Sequence, residues 1–429
     1  MKKDNLTSVC FYFEVHQPFR LRKDFHVKRF SLLGRSLFDQ YFDDDVNKAL
    51  FNRIAEKCYL PTNEILLKKI DQFKKERRQF KVSFGLTGLF IEQCERYNTD
   101  LLDSFKQLVD TGCVELLNET YYHSICSLYD VEREEFIDQV ALHQQLIQDV
   151  FSYKPTAFIN TECLYNNSIA RVVEEMGYKV ILTEGVDWVL SNWKSPNFVY
   201  KPPSNFCKRL RVLLRNYRLT DDIGFRFSSR DWAEWPLTAG KYASWLSATS
   251  GQCINLFMDY ETFGEHHWTD SGIHWFLQAL PDEIFKHKSL DFATPSEIVE
   301  ENASIGGEIS IGDYETISWA DEERSTESWI GNWMQQEIYR ELLALEKPVK
   351  AIADKSLIQI WRNLQASDHL YYLATFGGGP GEVHSYFSPY HTPFEAYSVY
   401  VRILADFARV VNERKKKQTD EQNELEKIS

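Results

Sequence analysis

Short apolar runs recur along this chain, and most stop abruptly at polar or charged residues. The run at 9–15 (VCFYFEV) ends at His16-Gln17-Pro18, and the run at 113–117 (CVELL) opens into the polar stretch 118–123. Residues 156–160 deliver Thr161-Glu162-Cys163, and 179–183 deliver Glu184-Gly185. Residues 255–258 empty into Asp259-Tyr260-Glu261-Thr262-Phe263-Gly264-Glu265-His266-His267-Trp268. With 80–86, 211–215 and 290–293, these runs read as buried β-strands. Helical periodicity fills the spaces at 46–77 (broken at Pro61-Thr62), 99–110, 131–150, 166–176, 237–247 and 271–280, the last limited by Pro281. Thr294-Pro295-Ser296-Glu297 carries the N-cap, first-turn proline and third-position glutamate of a helix start.

Strands alternating with helices through the first 300 or so residues predict a parallel barrel or a doubly wound sheet. No Gly-rich phosphate loop follows an early strand, which counts against the nucleotide-binding version. Beyond residue 310 the strand signals stop. Ile330, Met334, Ile338 and Leu342 recur at helical spacing, and 355–373 and 393–412 are also helical in pattern. The division expected is a catalytic α/β domain over 1–305 and a helical subdomain over 306–429. The charge-dense tail from Asn412 is expected to be a frayed, solvated helix end. The loop Gly377-Gly378-Gly379-Pro380-Gly381 lacks the Lys-Ser/Thr of a phosphate-binding loop.

Composition narrows the function. A net charge of −14 opposes non-specific binding to nucleic acid or anionic lipid. The eight cysteines are scattered without a C-x-x-C pair, and several fall inside apolar runs, so they read as reduced core thiols. The N-terminus lacks a signal-peptide pattern and no apolar run is long enough to span a membrane, so a cytoplasmic location is expected. Eleven Trp, 22 Tyr and 29 Phe serve packing first, but they also supply flat faces on which sugar rings stack.

Two strand exits present carboxylates directly, Glu162 and Asp259. An isolated surface carboxylate is ordinarily solvated or salt-bridged; one that interrupts a buried strand is expensive unless it has work to do. Glycoside hydrolysis needs such a pair, one to protonate the leaving oxygen and one to attack or to activate water. A competing reading gathers His16, His123, His266 and His267 with Asp259 around a divalent metal, as in a metal-dependent carbohydrate deacetylase or mannosidase. It fits poorly, because no H-x-x-E-H or H-E-x-x-H motif occurs and adjacent histidines point to different sides of an extended loop. No metal and no cofactor are therefore expected, and His123 and His266 are assigned to substrate binding. No G-x-S-x-G motif supports a serine nucleophile. Trp188, Trp268 and Trp319 are the candidates for sugar stacking. Asp368, on one helical face with Gln365 and His369, is a further binding candidate.

The ordered set His16-Gln17-Pro18, Gly112-Cys113-Val114-Glu115, Asn160-Thr161-Glu162, Met258 through His266 and Thr294-Pro295-Ser296-Glu297 resembles glycoside hydrolase family 57, in particular its α-amylase branch. The stretches Ser318-Trp319-Ala320-Asp321 and Gln365-Ala366-Ser367-Asp368-His369 extend the resemblance over roughly 9–405. It implies an incomplete (β/α)7 barrel followed by a helical bundle, and a retaining enzyme acting on an α-glucan or maltooligosaccharide. In that likeness Glu162 is the nucleophile and Asp259 the acid/base, while His16, Glu115 and Glu261 line the subsite of the cleaved sugar. Asp259 must then keep a proton near neutral pH, aided by the aromatic residues around it and by the charges of Glu162 and Glu261. Retention further asks for carboxyl groups about 5–5.5 Å apart. The alternatives are a 4-α-glucanotransferase or branching enzyme with the same carboxylates, the metal enzyme above, and a non-catalytic glucan-binding protein.

Overall fold

The computed structural model describes residues 6–26, 34–129, 132–191, 194–302, 306–320, 322–375 and 388–428. The glycine-rich loop at 377–381 lies outside them. Eight strands are found among the described residues: β1 (Thr7–Val15), β2 (Val82–Leu86), β3 (Val114–Leu116), β4 (Ala157–Ile159), β5 (Val180–Glu184), β6 (Arg211–Arg215), β7 (Cys253–Asp259) and β8 (Leu290–Phe292). Every pairing between them is parallel. β1 is the hub. One edge runs along β7 from Ser8↔Cys253 to Glu14↔Asp259, while the other meets β8 at Thr7–Val9 and then β2 at Tyr12–Val15. β3 pairs beyond β2, and β4, β5 and β6 form a second sheet. A parallel bridge between Asn118 and Phe158 links the end of β3 to β4. At the other side the Asn216 N–H donates to the Asn255 carbonyl at 2.8 Å, linking β6 to β7.

Alternation along the strands sorts two faces, because successive side chains point to opposite sides. Val9, Phe11, Phe13 and Val15 of β1 join Phe84, Leu256 and Met258 in a large core shared with the flanking helices. The opposite face gathers Cys10, Tyr12, Ile159, Leu182, Leu213 and Phe257 into a smaller core. One step further along that second face, the apolar layer gives way to Glu14, Gly85, Glu184, Arg215 and Asp259 at the strands' carboxyl ends. The step from oil to charge is the level at which chemistry becomes possible.

These strands and their helices make one compact unit, residues 1–17, 50–121 and 134–319. A second comprises 18–49, 122–133 and 320–429. In the second, helices Trp333–Ile352 and Pro393–Ile428 carry the buried stripes Met334, Ile338, Leu342, Leu345, Val349 and Val399, Ile403, Phe407, Val411. The Tyr41 hydroxyl donates to Asp406 at 2.8 Å, and Ser367 N–H donates to the His123 carbonyl at 2.8 Å, so the two short inserts are tied to this unit's helices.

Several boundaries depart from the pattern. The helix Ile273–Lys286 continues through Pro281, which is itself buried. Residues 355–373 are not one helix but Lys355–Asn363 and Ser367–Tyr371, with Ala366 diverted into an antiparallel bridge with Ser124. The last helix runs on past Asn412 to Ile428, with ion pairs such as Arg409–Glu413 and Lys417–Glu421 along its solvated face. The helical stretch before β2 passes Pro61 without a break, through a π-helical segment Ala55–Tyr59 into Leu60–Phe73 with Pro61 in its first turn.

Candidate active site

Glu162 sits on a single 3-10 turn, Thr161–Cys163, directly after β4. Glu162 and Cys163 both have positive φ, 58° and 56°. Side chains with a Cβ rarely adopt this conformation, at a cost of about 1–3 kcal/mol each. The turn is held by bonds on every side. Cys163 N–H donates to the Asn160 carbonyl at 2.8 Å, and the Thr183 hydroxyl donates to the Cys163 carbonyl at 2.8 Å. Trp319 reaches the same turn twice: its backbone N–H donates to the Glu162 carbonyl at 3.1 Å, and its indole N–H donates to Glu162 Oε2 at 2.7 Å.

Asp259 is the last residue of β7 and is less buried than the strand before it. Its rung partner on β1 is Glu14, which is 5% exposed and accepts from the Tyr12 hydroxyl. Gly85 is the partner of Glu14 on the other side. A Cβ there would lie 2.1 Å from the Tyr12 hydroxyl oxygen and 2.9 Å from Glu119 Oε1, so the glycine makes room for both. Glu261, two residues past Asp259, is buried and accepts from Gln17 Nε2 at 3.1 Å and from the Tyr59 hydroxyl. Its carboxyl is pushed up to about 8, first by burial and then by the charge of Asp259, against the pull of those donors. Glu261 therefore keeps a proton near neutral pH.

Beneath this rung, Arg215 at the end of β6 binds Glu184 Oε2 at 2.9 Å, Asp221 Oδ1 at 2.6 Å and the Phe257 carbonyl at 2.7 Å. The last bond fixes β7 two residues before Asp259. All three charged side chains are largely buried, and the two carboxylates hold the guanidinium above its ordinary range despite burial.

The remaining candidates separate. His16 Nδ1 lies 3.0 Å from Thr87 Oγ1, which fixes its ring at the end of β1. Burial pulls His266 down to about 3, so its imidazole is neutral. His267 packs inward instead: Nδ1 lies 2.7 Å from Ser228 Oγ and Nε2 lies 3.0 Å from the Gly224 carbonyl, so both ring nitrogens face protein partners rather than a metal. Glu115 sits one layer lower, on the Tyr12–Ser83 rung, with its carboxylate on the Ser296 N–H (3.0 Å) and hydroxyl. Burial raises its pKa and Ser296 moderates the rise. Trp268 and Trp188 are 57% and 52% exposed, Trp268 with the Lys57 ammonium 4.9 Å from its ring centroid. His123 and Asp368 belong to the second unit. His123 is buried there with φ 47°, and Asp368 lies on the short helix Ser367–Tyr371.

Sequence reasoning passed over Glu14, Tyr12 and Arg215. The signal for Glu14 was available, since it follows Cys10 and Tyr12 at the alternate positions of β1 just as Asp259 follows Asn255 and Phe257 on β7. Arg215 was hidden because its partners Glu184 and Asp221 come from other elements.

A parallel α/β scaffold whose strands end in carboxylates has the layout of an acid/base enzyme. Comparison with known proteins makes this specific. Residues 10–310 match the family model Glycosyl hydrolase family 57. A relative from Methanocaldococcus jannaschii, named "Putative alpha-amylase", is 45% identical over 413 residues, covering 94% of this chain and 85% of its own length. The fold resembles a 4-alpha-glucanotransferase from Thermococcus litoralis (TM-score 0.67, 14% identity), covering 95% of this chain and 60% of that one. It also resembles a branching enzyme of family 57 from Thermococcus kodakaraensis (TM-score 0.64, 15% identity), covering 95% of this chain and 90% of that one. The two structural likenesses speak for the fold alone. The chain belongs to glycosyl hydrolase family 57 and is a glycoside hydrolase.

Proposed function

We propose that this protein cleaves α-1,4-glucans with retention of configuration, with Glu162 as nucleophile and Asp259 as acid/base. The observation that carries the reading is the placement of both carboxylates at the carboxyl ends of parallel strands, Glu162 on a strained and heavily bonded turn and Asp259 on a rung shared with Glu14. Ionised Glu162 attacks the anomeric carbon, forming the C1–O bond as the glycosidic C1–O bond breaks. The proton of Asp259 passes to the departing oxygen. Water then attacks C1 as the Glu162–C1 ester bond breaks; Asp259 takes the water's proton, which returns Glu162 to its carboxylate and Asp259 to its acid form.

The parallel strands, with their links from β3 to β4 and from β6 to β7, support an incomplete (β/α)7-type barrel as the catalytic scaffold. The helices from Glu327 onward support the helical subdomain. Within the site, His16, Glu115, Glu261 and His266 are assigned to the cleaved sugar's subsite, and Trp188 and Trp268 to stacking. His123 and Asp368 remain substrate-binding candidates on the second unit. Among the described residues no helix is long and apolar enough to cross a membrane; the buried free thiols favour a reducing, cytoplasmic setting.

The test is incubation with amylose and maltooligosaccharides. Glu162→Gln and Asp259→Asn are each expected to lose roughly 10³-fold or more in turnover, with the α-anomer released first by the wild type. A Glu162→Gln enzyme as active as wild type, or an initial β-anomer, overturns the assignment. A second reading with the same two carboxylates is transfer to a sugar acceptor in place of water. Products longer than the substrate in a maltoheptaose digest would establish it.

A further inference from the structure

We infer that Trp319 is a positioning residue for the nucleophile rather than a sugar-stacking platform. The inference rests on the assignment of Glu162 as nucleophile. Trp319 bonds both ends of that residue, its backbone N–H on the Glu162 carbonyl at 3.1 Å and its indole N–H on Glu162 Oε2 at 2.7 Å. Such double attachment fixes the backbone of the turn and the plane of the carboxylate together. The glutamate needs both, because its positive φ is one that a side chain with a Cβ does not hold without support.

Trp319 is itself anchored. Two residues earlier, Ile317 forms a reciprocal pair of bonds with Tyr165, each at 3.0 Å, on the segment that follows the nucleophile turn. The Trp319 ring packs, half-buried, against the core of strand side chains that includes Cys163 and Leu213. A ring committed to that core and to Glu162 is poorly placed to follow a sugar. Thr183 completes the brace by donating to the Cys163 carbonyl at 2.8 Å.

Steady-state kinetics on a maltooligosaccharide separates the two roles. Trp319→Phe keeps an aromatic face and removes the N–H. If Trp319 positions Glu162, kcat falls about 10²-fold while KM stays within about threefold. Trp319→His, which keeps an N–H donor on a ring, recovers part of the loss. If Trp319 stacks on sugar, Trp319→Phe leaves kcat at the wild-type value and any change appears in KM, and the inference fails. Should the Phe variant not fold, Thr183→Val takes its place: a fall in kcat at constant KM supports the brace, and an unchanged kcat overturns it. Glu162→Gln is measured in parallel. Its retention of activity would refute the nucleophile assignment itself, whereas an inactive Glu162→Gln beside a fully active Trp319→Phe refutes only the role of Trp319.

Discussion

Glu14 and Asp259 stand on one rung of two adjacent parallel strands, their side chains on the same face. Neighbouring parallel strands are about 4.8 Å apart, so two carboxylates share a space that would ordinarily hold two apolar groups. The arrangement depends on Gly85, the next residue across the rung, which leaves room for the Tyr12 hydroxyl to donate to Glu14. Gly85→Ala is expected to displace Tyr12, destabilise the fold by about 1–3 kcal/mol and lower turnover. Tyr12→Phe removes the donor without adding bulk and should cost about 1–3 kcal/mol by leaving buried Glu14 with one bond fewer. Urea unfolding of both variants measures the two losses; a Gly85→Ala protein with wild-type stability would refute the packing argument.

Glu261 makes stability depend on pH with a definite sign. Its folded pKa of about 8 lies above the reference 4.5, so between those values the folded chain binds more protons than the unfolded one. Its contribution is fully present below about pH 4.5 and is lost as pH rises through 8. Glu261→Gln, which is neutral throughout, is expected to flatten this part of the stability profile and to gain on wild type by a few kcal/mol above pH 8. Denaturant midpoints measured from pH 5 to 9 would show it. Parallel profiles for the two proteins would contradict the burial argument.

Arg215 between Glu184 and Asp221 is a buried ion triad. Removing the cation alone strands two carboxylates in the core, so Arg215→Met should destabilise by about 3–5 kcal/mol. Adding Glu184→Gln and Asp221→Asn should recover most of that loss, because desolvation without a partner is the source of the penalty. Equal stability of the single and triple variants would rule this out.

All eight cysteines are free and buried, and burial pushes up the thiols of Cys10, Cys58, Cys94 and Cys163 while holding Cys207 and Cys253 at about 12. A thiol reagent at pH 8 is therefore expected to modify none of them until the chain unfolds, and then all eight. Rapid labelling of the native protein, at Cys163 above all, would show that the nucleophile turn opens on its own.

The sequence by itself determined the alternation of strands and helices and the strand exits at which Glu162 and Asp259 stand, because a buried strand must be apolar and a charge that interrupts one is conspicuous. The capping box at Thr294 was equally local, and the Thr294 N–H donates to Glu297 at 3.1 Å as its spacing requires. Residue patterns also carried the family likeness that the comparisons bear out. Strand order was not legible, since pairing β1 with β7 and β8 joins residues more than 200 positions apart and leaves no local trace. Helix continuity through Pro281 was set by packing that propensity does not contain. The same holds within the site. Glu14, Arg215 and Trp319 find their partners on distant segments, so only the tertiary structure could show that the tryptophan read as a sugar platform donates to Glu162.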